Sequence, residues 1–133
     1  ENSSGTDNFY VQDSGLVTGQ AFQNNTTAPT ISYATGAGTG PATDILVGGN
    51  NGALFLFTTG TSPAANETVF TMNLNKSFAN GCAASWVAYN AATQPLIGNF
   101  WLSASGNNSI TVKYAGTLAA STQYGLSITI MGY

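Results

Sequence analysis

Residues 49–60, Gly49-Asn50-Asn51-Gly52-Ala53-Leu54-Phe55-Leu56-Phe57-Thr58-Thr59-Gly60, decide the fold. Asn51-Gly52 stands between an apolar segment around Ile45–Val47 and the run Ala53–Phe57. Asn and Gly tolerate the positive φ that a tight hairpin turn requires. The run that follows is strand-sized and far too short to cross a membrane. Both of its faces are apolar: Ala53, Phe55 and Phe57 point one way, Leu54 and Leu56 the other. In a small antiparallel domain such a strand needs cover on its second side, from a neighbouring subunit or from a loop over a packed sandwich.

The same pattern repeats on both sides of this hairpin. Alternation and turn residues predict eight strands, near 30–35, 43–48, 53–59, 67–74, 84–90, 97–104, 109–115 and 124–131. Strong breakers separate them: Gly36-Ala37-Gly38-Thr39-Gly40-Pro41, Gly60-Thr61-Ser62-Pro63, Asn80-Gly81 and Gly106-Asn107-Asn108. The first of these lacks the Lys-Ser/Thr ending of a phosphate loop and reads as a flexible surface loop. No helical period appears; Leu118–Thr122 is at most a single turn. Eight short strands of this spacing predict an all-β domain, an antiparallel β-sandwich or jelly-roll-like head, over residues 29–133. Residues 1–28 differ. Short apolar pairs such as Phe9–Val11 and Leu16–Val17 are split by Gly, Asn and Asp, so this segment reads as an extended fibre shaft or linker that needs partner chains to bury Phe9, Val11 and Phe22. The start at Glu1, without Met or a visible secretory signal, reads as a piece of a longer protein.

Composition limits function sharply. The chain holds no histidine, one cysteine, two lysines and five carboxylates in 133 residues. At 5% its charged fraction is far below the quarter typical of soluble domains, while its 43% of apolar residues is ordinary and sufficient for a core. Proton transfer, nucleophilic attack and zinc binding draw on residue types that are nearly absent. Only Asp44 and Glu67 lie inside the folded region as carboxylates, and a glycosidase needs two placed together. The sequence therefore predicts no enzyme, no cofactor and no metal. A net charge of −3 without a basic patch gives nucleic acid no electrostatic hold, and no apolar run suits membrane insertion. Cys82 has no partner for an intrachain disulfide and reads as a small buried hydrophobe.

Most strands have one wet face. Phe70, Met72 and Leu74 oppose Thr71 and Asn73; Ile110, Val112 and Tyr114 oppose Thr111 and Lys113; Leu126, Ile128 and Ile130 oppose Ser127 and Thr129. Trp86, between Ala84 and Ala88, has room for its ring in a core or interface. The segment Asn99-Phe100-Trp101-Leu102-Ser103 departs from the rule. With Phe100 and Leu102 inward, Trp101 falls outward with Asn99 and Ser103. An outward indole among short polar groups is the form of a sugar platform, with a flat apolar face for the CH side of a pyranose and amides for its hydroxyls. It is equally the form of a ring that packs under a loop or against a second subunit. The candidate ligand-binding set is Trp101 as platform with Asn99, Tyr89, Asn90 and Gln94 as polar partners.

Three stretches carry a resemblance: Ala34-Thr35-Gly36-Ala37-Gly38-Thr39-Gly40 before a strand; Gly52–Pro63 leading into the Val69-Phe70 strand; and Ala119-Ala120-Ser121-Thr122-Gln123-Tyr124 before the last strand. Together with the Gly-spaced leader they resemble the C-terminal tip domains of trimeric bacteriophage and prophage tail fibres and related bacterial adhesive fibres. The resemblance implies a homotrimeric β-sandwich head, extracellular on a virion or bacterial cell surface, that binds cell-surface glycans or other envelope components. It transfers no ligand residue, because the loops of such heads diversify. The scarcity of acidic residues departs from enzyme-bearing tailspikes and favours passive attachment. Other classes fit the same features: a purely structural trimerisation or assembly module of a fibre or capsid, and a monomeric carbohydrate-binding module.

Overall fold

The computed structural model describes residues 9–11, 17–19, 27–49 and 51–133. Phe9–Val11 (β1) pairs antiparallel with Val17–Gly19 (β2); the rest of the proposed shaft segment up to residue 26 lies outside the described residues. The eight remaining strands are Thr30–Tyr33 (β3), Ala42–Gly49 (β4), Gly52–Thr58 (β5), Thr68–Asn73 (β6), Cys82–Ala88 (β7), Phe100–Ser105 (β8), Ser109–Tyr114 (β9) and Gln123–Gly132 (β10). They match the eight strands expected from alternation. All pairings are antiparallel, in two four-stranded sheets ordered β4-β5-β10-β7 and β3-β6-β9-β8. The protein is an all-β sandwich.

The fold follows from burying one face of each strand. Ala53, Phe55 and Phe57 of β5 and Leu126, Ile128 and Ile130 of β10 meet Phe70 and Met72 of β6 and Ile110, Val112 and Tyr114 of β9 in one core. Phe55 stacks on Phe57 with centroids 5.1 Å apart and meets Phe70 edge-on at 4.9 Å. Each such ring contributes about 1.5–3 kcal/mol by leaving water, and each aromatic pair about 0.5–1.5 kcal/mol more. Cys82 is fully buried and its thiol donates to the Gly106 carbonyl at 3.2 Å. Trp86 is half-buried against the core.

The second face of β5 resolves the question its sequence posed. Leu56 is buried on the outer side of its sheet, beneath a corner of the chain. A Cβ added at Gly125, its cross-strand partner, would lie 3.3 Å from Leu56 Cγ, 3.2 Å from Tyr89 Cβ and 3.4 Å from Asn90 Cγ. The missing side chain at Gly125 is what lets the Tyr89–Asn90 corner close over Leu56. Leu54, one row further along, is only half-buried.

Two local features differ from the sequence reading. The segment expected to be a flexible surface loop holds a 3-10 turn at Thr35–Ala37 with Gly36 and Ala37 buried. Thr39 and Thr61 exchange backbone hydrogen bonds of 2.8 and 2.9 Å, and Gly60 N donates to the Ala37 carbonyl at 2.9 Å. A Cβ at Gly36 would fall 2.6 Å from the Thr68 carbonyl oxygen, so glycine serves close packing on β6 there. The second difference is the start of β8. Residues Gln94–Asn99 form a 3-10 turn and the strand begins at Phe100. Pro95 near its start fixes φ for the first turn.

Candidate functional site

Trp101 sits on β8, one of the two edge strands of the β3-β6-β9-β8 sheet. Phe100 before it is buried, packed on Tyr114 with ring centroids 4.9 Å apart, and Leu102 after it packs on the core. Alternation therefore turns the indole outward, where it is 41% exposed. Register carries the row onward: Trp101 faces Lys113 on β9, and Lys113 faces Thr68 on β6. The next row along the sheet is Ala104, Thr111, Thr71 and Ser32, and the one after contains Ser109, Asn73 and Thr30. A bulge at Ser103 separates the first two rows on β8.

This outer face is a field of hydroxyls and amides already partly wired together. Thr71 and Thr111 share a hydrogen bond between their Oγ1 atoms at 3.0 Å. Asn73 Nδ2 donates to Ser32 Oγ at 3.3 Å, and Ser103 Oγ donates to the Thr111 carbonyl at 3.3 Å. Such groups retain spare donor and acceptor capacity toward solvent. Chemically the surface offers an apolar plate at one edge, uncharged hydrogen-bonding groups beside it and one ammonium, Lys113.

The structure divides the five residues proposed from sequence. Trp101 lies on the outer face of one sheet. Tyr89, 57% exposed, extends the outward side of β7 and lies on the outer face of the other sheet. Gln94 and Asn99 are exposed at the two ends of the 3-10 turn that links β7 to β8. Asn99 is thus not a strand neighbour of Trp101, and its carbonyl is held by Ala115 N at 2.8 Å. Asn90 is committed to the fold. Its Oδ1 accepts from Thr93 N at 3.1 Å and from Thr93 Oγ1 at 2.7 Å, and its Nδ2 donates to the Gln123 carbonyl at 3.2 Å. Thr93 is fully buried and its hydroxyl oxygen accepts from Gly125 N at 2.8 Å. Asn90 therefore builds the corner over Leu56, as Asn does in Asx turns.

Ser103 was legible as an outward companion of Trp101, whereas Lys113, Thr111 and Thr68 were not linked to it from sequence. The outward direction of Thr111 and Lys113 was already legible. Their placement beside the indole needed the β8–β9 pairing, which the Gly106-Asn107-Asn108 turn signals but the bulge at Ser103 offsets by one residue.

The two carboxylates of the folded region are apart. Asp44, on a bulge of β4, accepts from Thr58 Oγ1 at 2.7 Å and Gln123 Nε2 at 2.9 Å, at one end of the other sheet. Glu67 is exposed and immediately precedes β6. Among the described residues, no three His, Cys, Asp or Glu side chains gather as metal ligands, and no helix is long and apolar enough to cross a membrane. Burial pushes the Cys82 thiol above its ordinary pKa. The Tyr33 phenol is also raised, chiefly by burial; the hydrogen bond to Thr43 opposes this and the nearby Asp44 charge adds to it. Comparison with protein-family models, curated proteins and solved structures gave no match.

Proposed function

We propose that this domain is the non-catalytic receptor-binding tip of a trimeric extracellular fibre, and that it holds a glycan or related envelope component of a bacterial surface against Trp101. The observation that carries this reading is an indole turned to solvent beside uncharged hydrogen-bonding side chains, with Lys113 alongside. The indole stacks on the CH face of a sugar ring. Hydroxyls of Thr68, Thr111 and Ser103 with the Asn99 amide answer its hydroxyl groups. Gln94 lies at the far end of the linking turn and reaches only an extended ligand. Tyr89 and Asn90, on the opposite side of the sandwich, leave the proposed contact set. With stacking and neutral hydrogen bonds at about 1 kcal/mol each, single sites are weak and several copies on one stalk supply avidity.

A glycan array followed by titration of the best ligand tests this. Trp101→Ala is expected to weaken single-site binding about tenfold, the equivalent of about 1.4 kcal/mol. Unchanged binding by a folded Trp101→Ala variant would remove the site. The second reading, an assembly module, is favoured by a different observation: the outer face of the other sheet is apolar.

A further inference from the structure

The outer face of the β4-β5-β10-β7 sheet presents two rows of side chains that run from one edge strand to the other. Register places Ile45, Leu56, Gly125 and Tyr89 in one row, and Val47, Leu54, Ser127 and Val87 in the next. Ile45, Val47, Val87 and Tyr89 are 42, 55, 63 and 57% exposed. No ionisable group other than the Tyr89 phenol lies in either row. Asp44 stands at the border, its carboxylate held by Thr58 and Gln123.

We infer that this face is the contact through which copies of this chain associate. The area supports it. At roughly 150–250 Å² for a fully exposed large side chain, these four together expose on the order of 400 Å², in two pairs on the edge strands β4 and β7 with half-buried Leu54 and exposed Ser127 between Val47 and Val87. A standard interface takes about 800 Å² from each partner, about three-fifths of it apolar, so the face supplies most of the apolar part. Charge supports it too. A partner of opposite sign has nothing to meet here, whereas a second copy brings the same neutral rows and no repulsion. The other sheet's outer face, in the same chain, is covered by Thr, Ser, Asn and Lys. The scarcity of charge in the chain therefore does not explain why this face alone carries Ile, Val and Leu.

This inference deepens the assembly part of the reading above and rests on it only for the number of copies. The band reaches both edge strands. Three copies can share it in a closed ring, β4 side to β7 side, or two copies can meet it across a twofold axis.

The test is sedimentation of the full chain over a broad concentration range, with Val47→Asp and Val87→Asp, and with Thr111→Asp as the control on the other sheet. A carboxylate taken unpaired into an apolar contact is strongly unfavourable in either arrangement, so each of the first two is expected to weaken association at least about a hundredfold. Thr111→Asp is expected to leave it unchanged. Val47→Thr and Val87→Thr keep the β-branched shape and serve if the aspartates unfold the domain. In a Val87→Cys variant the only other thiol, Cys82, is buried, so maleimide labelling reports the introduced one. Labelling is expected to be slow in the assembled state and fast on dilution, while Ser103→Cys labels equally in both. A wild-type chain that stays monomeric overturns the inference. So does association that persists in the face variants while the Val87→Cys thiol labels at the same rate throughout. A dimeric mass would refute the trimer of the proposed function and leave this face assigned. Loss of glycan binding in Trp101→Ala bears on the other sheet alone.

Discussion

The two outer faces of this sandwich are built on the same inward pattern and end in opposite surfaces. Beneath both lies one core of Phe, Ile, Met, Leu and Val. Outside, the β3-β6-β9-β8 sheet shows Thr30, Ser32, Thr71, Asn73, Thr111 and Lys113, with side-chain hydrogen bonds between Thr71 and Thr111 and between Asn73 and Ser32. The β4-β5-β10-β7 sheet shows Ile45, Val47, Leu54 and Val87. Inward alternation serves folding and is indifferent to what faces out. The outward residues are therefore free to encode what each face meets: water and polar ligands on one side, apolar surface on the other.

Changes between the faces should have the largest effect, and should not discriminate between them. Phe55 is fully buried and touches Phe57 and Phe70, so Phe55→Ala is expected to cost about 3–5 kcal/mol in denaturant unfolding. Its neighbour Leu54 points to the outer face and is only half-buried. Leu54→Ala is expected to cost far less in stability measured on the monomer; an equal cost would mean the outer row is as enclosed as the core. Next in size is Asn90→Ala. It strips the fully buried Thr93 hydroxyl of its acceptor and loosens the corner over Leu56, at about 1–3 kcal/mol. A glycan titration of the same variant should match wild type, because Asn90 lies away from Trp101. Weakened binding by a stable Asn90→Ala protein would return it to the ligand set.

These expectations show where the sequence was sufficient and where it was not. Alternation in β6, β9 and β10 set the inward and outward sides, and Gly-Asn punctuation set the strand ends. A period of two tells which side of its strand a residue occupies, but not which sheet the strand joins. Trp101 was legible as an outward aromatic, with Tyr89 proposed as its polar partner. Only long-range pairing put them on opposite sides of the molecule. Asn99 was misplaced because Pro95 nucleates a 3-10 turn inside what alternation extends as a strand. The role of Asn90 depended on a buried threonine three residues on and a glycine from a distant strand, neither of which carries a local signal. Leu56 was recognised as needing cover, and the cover proved to be the chain's own corner.

Alkaline pH probes the interior beneath both faces. Cys82 and Tyr33 have folded pKa values raised above their ordinary 9.0 and 10.0. Below pH 9 both are protonated in the folded and unfolded chain, and their contribution is fully present. As pH rises further the unfolded chain releases these protons first, and stability is lost as pH climbs through the folded values. The midpoint of thermal unfolding should therefore be insensitive to these groups up to about pH 9 and fall beyond it. In Cys82→Ala the decline should begin later, governed by Tyr33. A Cys82→Ala profile that overlays wild type would show that the thiol does not contribute.

The smallest effect on stability is expected on the polar face, and it cuts deepest into the comparison. Thr71 and Thr111 are joined by their hydroxyls at a partly exposed position. Replacing both with Val removes donor and acceptor together, keeps the β-branched shape and leaves no buried polar group unpaired. The cost should be within about 0.5 kcal/mol of zero. The hydroxyls would then be needed for what the face meets rather than for the fold. The double variant should unfold like wild type but bind glycan more weakly. It should also self-associate through the altered face, detected as added mass in sedimentation of a Val47→Asp background. If Thr71→Val with Thr111→Val instead unfolds the domain by several kcal/mol, the hydroxyl pair is structural, and the contrast between the two faces loses its functional meaning.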